Sequence, residues 1–144
     1  MVLSDYLVPV WHYGLIPADC SRLREEVFLQ EQGFSYDIDD TDDLCYHLCV
    51  YLEEIPVGVA RLFHDGDDTM HIGRLAVKKA FRGQHIGAFL MSCLEHKAKE
   101  LGAKRLILGA QMHAVAFYES CGFSVYGEPF DDDGAPHRHM EKQI

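Results

Sequence analysis

Apolar and polar residues recur along the chain with two spacings, one typical of strands and one of helices. Residues 6–13 (YLVPVWHY) are predicted to form a first strand, and Pro9 places it at a sheet edge because proline has no N–H group. Pro17 then opens a helix with apolar residues at helical spacing, which we expect to end before Gly33. The chain therefore begins with a strand followed by a helix.

Three apolar runs separated by turns come next. The runs cover residues 45–52, 57–63 and 70–77, and the turns between them contain proline, glycine and aspartate. Short apolar runs bounded by such turns are typical of antiparallel strands. We therefore predict a three-stranded meander.

From Gly87 the spacing changes to that of a helix. Leu90, Leu94 and Ala98 lie on one face of it, charged residues occupy the other, and Gly102 supplies a left-handed end. The elements predicted after it are a strand at 106–109, a helix at 114–121, and strands at 124–130 and 137–142. The order is mixed α/β, with a strand-helix-strand crossover in its second half.

Length and composition limit the classes of protein that fit. A chain of 144 residues with 48% hydrophobic residues suits one domain with one core, at residues 1–144. The net charge of -10 argues against binding to nucleic acid or to an anionic membrane surface. There is no run of about 20 apolar residues and no signal-peptide pattern, so we expect a cytoplasmic protein.

Cysteine and histidine spacing does not predict a metal site. Five cysteines without a CxxC pair favour reduced thiols over a disulfide framework. Cys45 and Cys49 share one strand face with His47 but would lie ~13 Å apart, too far for one tetrahedral zinc. His137 and His139 have no third ligand at a suitable spacing. We therefore expect no metal.

Residues 73–88 (GRLAVKKAFRGQHIGA) combine a strand, a basic turn and a glycine-bearing loop that opens the helix after Gly87. The first N–H groups of a helix lack intrahelical partners, and the helix dipole is positive at that end, so such a loop can hold a phosphate. Between Ile72 and Leu94 there is no acidic residue, while four residues are basic: Arg74, Lys78, Lys79 and Arg82. The pattern predicts a polyphosphate site, although a solvated basic turn remains an alternative.

Residues 82–88 (RGQHIGA) resemble the R/Q-x-x-G-x-G/A pyrophosphate loop of the GNAT N-acetyltransferases, which bind acetyl-CoA and acylate amines. Segments 24–34, 71–77, 109–123 and 134–140 are similar to the small bacterial GNAT branch, with its EQ, AQ, FYE-x-x-GF and PH-x-x-M signatures. The resemblance covers nearly the whole chain in the right order.

The resemblance implies a GNAT fold, an α/β (α+β) single domain with a mixed, mostly antiparallel sheet flanked by helices. It implies an N-acetyltransferase that uses acetyl-CoA as co-substrate. The acceptor would be a primary amine of a small molecule or peptide, attacking directly in a ternary complex. A non-catalytic module that binds CoA or acyl-CoA is the alternative. The identity of the amine and the formation of a homodimer stay open.

The resemblance also assigns cofactor contacts. Main-chain groups of Leu75, Ala76 and Val77 would pair with the pantetheine arm, and a splay from the strand at 106–109 would receive the thioester. The remaining cofactor residues are Arg82, Gly83, Gln84, His85, Ile86, Gly87, Ala88, Phe117 and Tyr118. His85 replaces the first glycine of the loop pattern, and it can still present its N–H there provided that its backbone has a negative φ.

Two residues are candidates for proton transfer. Tyr118 matches the family position whose phenol protonates the departing thiolate, although an aromatic side chain there could simply pack in the core. His71 occupies the position of a family glutamate base and titrates near neutral pH. A surface role for His71, with a water relay from another group, is the alternative.

The branch signatures place Glu31, Gln32, Gln111 and His137 around the acceptor pocket, where each could instead be a structural hydrogen-bonding group. The acidic segments 37–43 and 131–133 are either solvated loops or a means of attracting a cationic amine.

Overall fold

A computed structural model describes residues 2–144. Within that range one sheet contains seven strands, and three α-helices pack on it. The strands are β1 (Leu7–Tyr13), β2 (Tyr46–Leu52), β3 (Ile55–His64), β4 (Thr69–Val77), β5 (Arg105–Gln111), β6 (Ser124–Asp132) and β7 (Ala135–Gln143). The helices are α1 (Ala18–Arg24), which continues as a π-helical segment Glu25–Glu31, then α2 (Ile86–Glu100) and α3 (Val115–Ser120).

The strand order across the sheet is β1-β2-β3-β4-β5-β7-β6. Every neighbouring pair is antiparallel except β4 and β5, which are parallel and connected by α2 as the crossover. This confirms the predicted mixed, mostly antiparallel sheet flanked by helices. The predicted elements are all present, and β5, β6 and β7 extend a few residues beyond their predicted ends.

One face of the sheet carries the main core. Leu62, Met70 and Leu108 alternate with residues of the opposite face and pack against Leu90 and Leu94 of α2. All five are nearly inaccessible to solvent, which is the burial expected of an amphipathic helix laid on a sheet.

The other face is covered over only part of its width. Cys20 and Leu23 of α1 pack against Cys49 and Val59 on β2 and β3, in a second, smaller core. The contacts of α1 with the sheet are to β2, β3 and β4. The same face of β5 and β7 is therefore left as the floor of an open region.

β4 and β5 separate partway along their length. Their parallel pairing runs from Thr69 with Arg105 to Ile72 with Leu108, and no pair follows between the later residues of either strand. β4 also bulges against β3 at Arg74, which has a left-handed φ of 50°. The splay leaves one edge of Gly73 to Val77 without a partner strand.

In the described part of the chain, no helix is both long enough and apolar enough to span a lipid bilayer.

Candidate active site

A cavity of about 890 Å³ occupies the splay and the open floor beside it. Its walls come from the π-helical segment after α1 and the loop that follows it, from β3, the ends of β4 and β5, α3, and the β6–β7 hairpin. Of the predicted cofactor residues, the lining includes Leu75, Ala76, Val77, Arg82, Gly87, Phe117 and Tyr118. Both predicted proton-transfer residues and all four predicted acceptor residues also line it. One space thus connects the two predicted half-sites.

The strand predicted to contact the cofactor is β4. Because its pairing with β5 ends at Ile72, the main-chain groups of Leu75, Ala76 and Val77 on that side are available to a ligand. A buried sheet edge without partners is costly, so an extended ligand with amide groups fits this edge. The pantetheine arm of CoA has that character.

The loop before α2 differs from expectation at one residue. His85 has φ 65° and ψ 20°, in the left-handed region, so the condition of a negative φ is not met. The chain turns sharply from the loop into the helix at this position and imposes a glycine-like conformation on histidine. Among non-glycine residues, histidine is one of those most often found there. The turn of the loop is kept without the glycine.

The start of α2 has the properties of an anion site. No side chain caps it and its first turn contains no acidic residue. A Cβ on Gly87 would lie 3.1 Å from the Phe117 ring, so glycine allows α2 and α3 to approach closely. Gly83, Gln84, His85 and Ala88 are exposed outside the cavity lining, while Ile86 is buried in the main core. These five can offer main-chain groups to a ligand.

Residues 72–94 include no acidic residue, but carboxylates from other segments of the chain lie next to their basic side chains. Arg82 pairs with Glu31 through two contacts, one of 2.7 Å from Nη2 to Oε1. Lys78 pairs with Glu26, 3.1 Å from Nζ to Oε2. Arg74 points to other carboxylates and not to the loop. Three of the four basic residues are therefore paired with carboxylates, and the partners of Arg82 and Lys78 come from the π-helical segment.

Tyr118 lies on α3 with 8% of its surface exposed. Its ring packs against Phe117 and Phe123, with centroids 5.1 and 6.2 Å away. Burial raises the pKa of the Tyr118 phenol above its ordinary value, with a smaller effect from Cys121. The phenol therefore stays protonated in the physiological range and can donate a proton. Tyr118 thus belongs to the main core and also lines the cavity.

His71 lies on β4 and stacks on Phe63 of β3, with ring centroids 4.8 Å apart. Its Nδ1 is 3.5 Å from Oδ2 of Asp65. Burial lowers the pKa of His71 below its ordinary value and outweighs the opposing effect of Asp65. The imidazole is therefore neutral at physiological pH, the form that can accept a proton.

The four predicted acceptor residues all hold structural contacts as well. Glu31 binds Arg82, which lowers the pKa of that carboxyl. Gln111 Nε2 donates to Oε1 of Gln32 at 2.9 Å. His137 Nδ1 lies 2.8 Å from the carbonyl oxygen of Ala135, which leaves Nε2 as an acceptor in the neutral ring. The contacts of Glu31 and Gln32 hold the end of the π-helical segment at the cavity.

Segment 37–43 is solvated only in part, since Asp40 and Asp43 are exposed. Its other three aspartates belong to an ionic network, here called the Arg24 cluster, which consists of Arg24, Asp37, Asp39, Asp42, Arg61 and Arg74. Arg24 and Asp42 are each 1% exposed, with 2.7 Å between Nη1 and Oδ1. Burial alone would raise the pKa of Asp42, but hydrogen bonds from Arg24 and others hold it well below its usual range.

Sequence reasoning missed this cluster because its members are far apart along the chain.

The second acidic segment, 131–133, also forms hydrogen bonds, since the Tyr36 hydroxyl donates to Asp132 and Ser35 donates to Asp133. Within residues 2–144, no group of three or more His, Cys, Asp or Glu side chains is arranged to hold a metal ion.

Comparison with known proteins identifies the family. Residues 18–144 match the acetyltransferase (GNAT) domain model. The chain is 38% identical to the uncharacterized N-acetyltransferase YjcF of Bacillus subtilis, over 86% of this chain and 90% of that protein. It is 36% identical to protein ElaA of Escherichia coli, over 85% of this chain and 84% of ElaA.

Solved structures agree. The crystal structure of E. coli ElaA superposes with a TM-score of 0.80, covering 94% of this chain and 100% of that one at 31% identity. A Bacillus subtilis acetyltransferase in complex with CoA shares the fold, with a TM-score of 0.75 at 18% identity over 96% of this chain and 99% of that one. The chain belongs to the GNAT acetyltransferase family.

Proposed function

We propose that this protein is an acetyl-CoA-dependent N-acetyltransferase that acetylates a primary amine of a small molecule or peptide by direct transfer in a ternary complex. The observation that carries the proposal is the single cavity that joins the unpaired edge of β4 to Tyr118 and His71. Binding of CoA by the related fold of the B. subtilis acetyltransferase supports it.

The residues of this chain suit acetyl-CoA, which would supply an activated acetyl thioester. The open edge at Leu75 to Val77 fits the pantetheine amides, and the uncapped start of α2 fits the pyrophosphate. Lys79 and Arg82 are the cations nearest in sequence to that helix start. The left-handed turn at His85 preserves the loop, which argues against a damaged cofactor site.

Proton transfer would use one group that donates a proton and one that accepts a proton. Tyr118 holds a proton that it can give to the sulfur as the carbon–sulfur bond breaks. His71 is neutral and can take the proton that the attacking amine loses, directly or through water. Transfer from thioester to amine then needs no covalent acyl-enzyme.

The test is release of the CoA thiol from acetyl-CoA across a panel of primary amines. Tyr118→Phe should lower kcat by about 10²-fold or more while CoA affinity by calorimetry is unchanged. Tyr13→Phe, an exposed tyrosine on β1, is the matched control and should have no effect. Retained turnover with wild-type pH dependence in Tyr118→Phe would remove the acid role.

The same measurements separate the two candidate functions. Tight CoA binding without turnover on any amine would identify a non-catalytic CoA-binding module. Absence of CoA binding would contradict both candidates.

A further inference from the structure

The lining of the cavity contains two pairs of stacked aromatic rings. Phe63 and His71 stack at 4.8 Å with planes inclined by 17°. On the other side of the splay, Phe130 and His139 stack at 4.2 Å with planes inclined by 20°. All four rings line the cavity and none is fully buried, so ring surface faces the open space.

The position of Phe130 depends on a residue without a side chain. Its ring lies over Gly109 of β5, where a Cβ would come within 3.0 Å of the ring. Gly109 pairs with His139 across β5 and β7, so the ring also reaches His139. The glycine thus leaves room for the end of an aromatic ring next to β5 at the mouth of the splay.

The charges of the lining are almost fully paired. Asp37 and Asp39 are bound by arginines of the Arg24 cluster, and Glu31 is bound by Arg82. Asp132 is the exception, because it accepts a hydrogen bond from Tyr36 and no lysine or arginine in residues 2–144 pairs with it. One unneutralised carboxylate suits a molecule with one positive charge and gives little attraction to a polycation.

We propose that the acceptor is an arylalkylamine, a primary amine on a short chain that ends in an aromatic ring. The aromatic ring of the amine packs against the rings of Phe63, His71, Phe130 and His139, and the amine reaches toward the splay between β4 and β5. Offset-stacked and edge-to-face contacts between rings favour an aromatic group over an aliphatic group of equal size. This inference rests on the proposed function and narrows its substrate.

The experiment compares three amines in the acetyl-CoA thiol-release assay: 2-phenylethylamine, 2-cyclohexylethylamine and spermidine. The first two have the same chain and similar bulk, so their ratio isolates the aromatic character of the ring. Wild-type kcat/KM should be about 3- to 10-fold higher for the phenyl compound than for the cyclohexyl compound, and higher still relative to spermidine.

Phe130→Leu keeps an apolar side chain but removes the ring. It should reduce the phenyl-to-cyclohexyl ratio toward one while leaving CoA affinity unchanged. Tyr13→Leu, which removes an exposed ring of β1 far from the lining, should keep the wild-type ratio. The wild-type ratio needs no variant, so a Phe130 variant that fails to fold does not decide the outcome.

Turnover of cyclohexyl compound or spermidine equal to or above that of the phenyl compound would overturn this inference and leave the proposed function intact. An unchanged ratio in folded Phe130→Leu would also overturn it. No turnover with any amine would contradict the proposed function, and this inference with it.

Discussion

Two sets of ion pairs border the same cavity and differ in burial. In the Arg24 cluster, the Arg24 and Asp42 side chains are only 2% exposed. In the pair between Arg82 and Glu31, the side chains are 39% and 29% exposed. Breaking a buried pair leaves a charge without water or partner, whereas an exposed pair exchanges partners at little cost. The first set fixes the wall of the cavity, and the second can release Arg82 to a phosphate.

The largest expected effect is from breaking the buried set. Asp42→Asn removes the charge that Arg24 and Arg61 share, and should lower the free energy of unfolding by about 3–5 kcal/mol. Asp43→Asn, at the exposed neighbouring position, is the control and should change little. Denaturant unfolding measures both. Equal stability of the two variants would show that the cluster is not structural.

Acid should act on the same cluster. Asp39 and Asp42 have pKa values below the ordinary carboxyl range, because the pull of the arginines outweighs burial. A lowered pKa stabilises the fold above the unfolded-state value of about 4, and this stabilisation is lost as pH falls toward the folded-state pKa. The difference in thermal midpoint between the wild type and Asp42→Asn should therefore be level from pH 5 to 8 and shrink below pH 4.

Substitutions in the predicted cofactor loop, residues 82–88, should change stability less than Asp42→Asn does. At His85, a β-branched residue is strained in the left-handed region whereas glycine is not, so His85→Val should be less stable than His85→Gly by about 1–2 kcal/mol. The CoA affinity of His85→Gly should match or exceed that of the wild type by calorimetry. Equal stability of the two variants would mean that the loop relaxes away from this turn.

The smallest effect is expected at the exposed pair. Glu31→Gln should change stability by less than about 1 kcal/mol and, by freeing Arg82, strengthen CoA binding by up to about fivefold. Glu25→Gln, an exposed glutamate at the start of the π-helical segment, is the control. Weaker CoA binding in Glu31→Gln would show that the pair serves the cofactor as it stands.

Features that depend on local sequence patterns were predicted from the sequence. Local spacing predicted α2 within one residue at each end, since helix periodicity and Gly102 are both local signals. Motif positions brought Tyr118, His71, Gln111 and His137 to one cavity.

Ion pairs between residues far apart along the chain could not be predicted from the sequence. Arg82 and Glu31 are 51 residues apart, and nothing in either local pattern indicates that they meet. The acidic run at 37–43 read as a solvated loop because the arginines that bury it come from α1, β3 and β4. Charge along a sequence describes a surface only when the neighbours in space are known.

The short pairing between β4 and β5 should determine where the sheet opens first. Four residue pairs between β4 and β5 are the whole ladder that joins the antiparallel block β1–β4 to the block of β5, β7 and β6. Opening this seam breaks fewer ladder hydrogen bonds than opening either block, so amides along it should exchange with deuterated solvent before those inside the blocks. A ligand bound between β4 and β5 would contact both blocks. It should therefore slow amide exchange along β4 and β5, and the effect should increase with the fraction of protein that is bound.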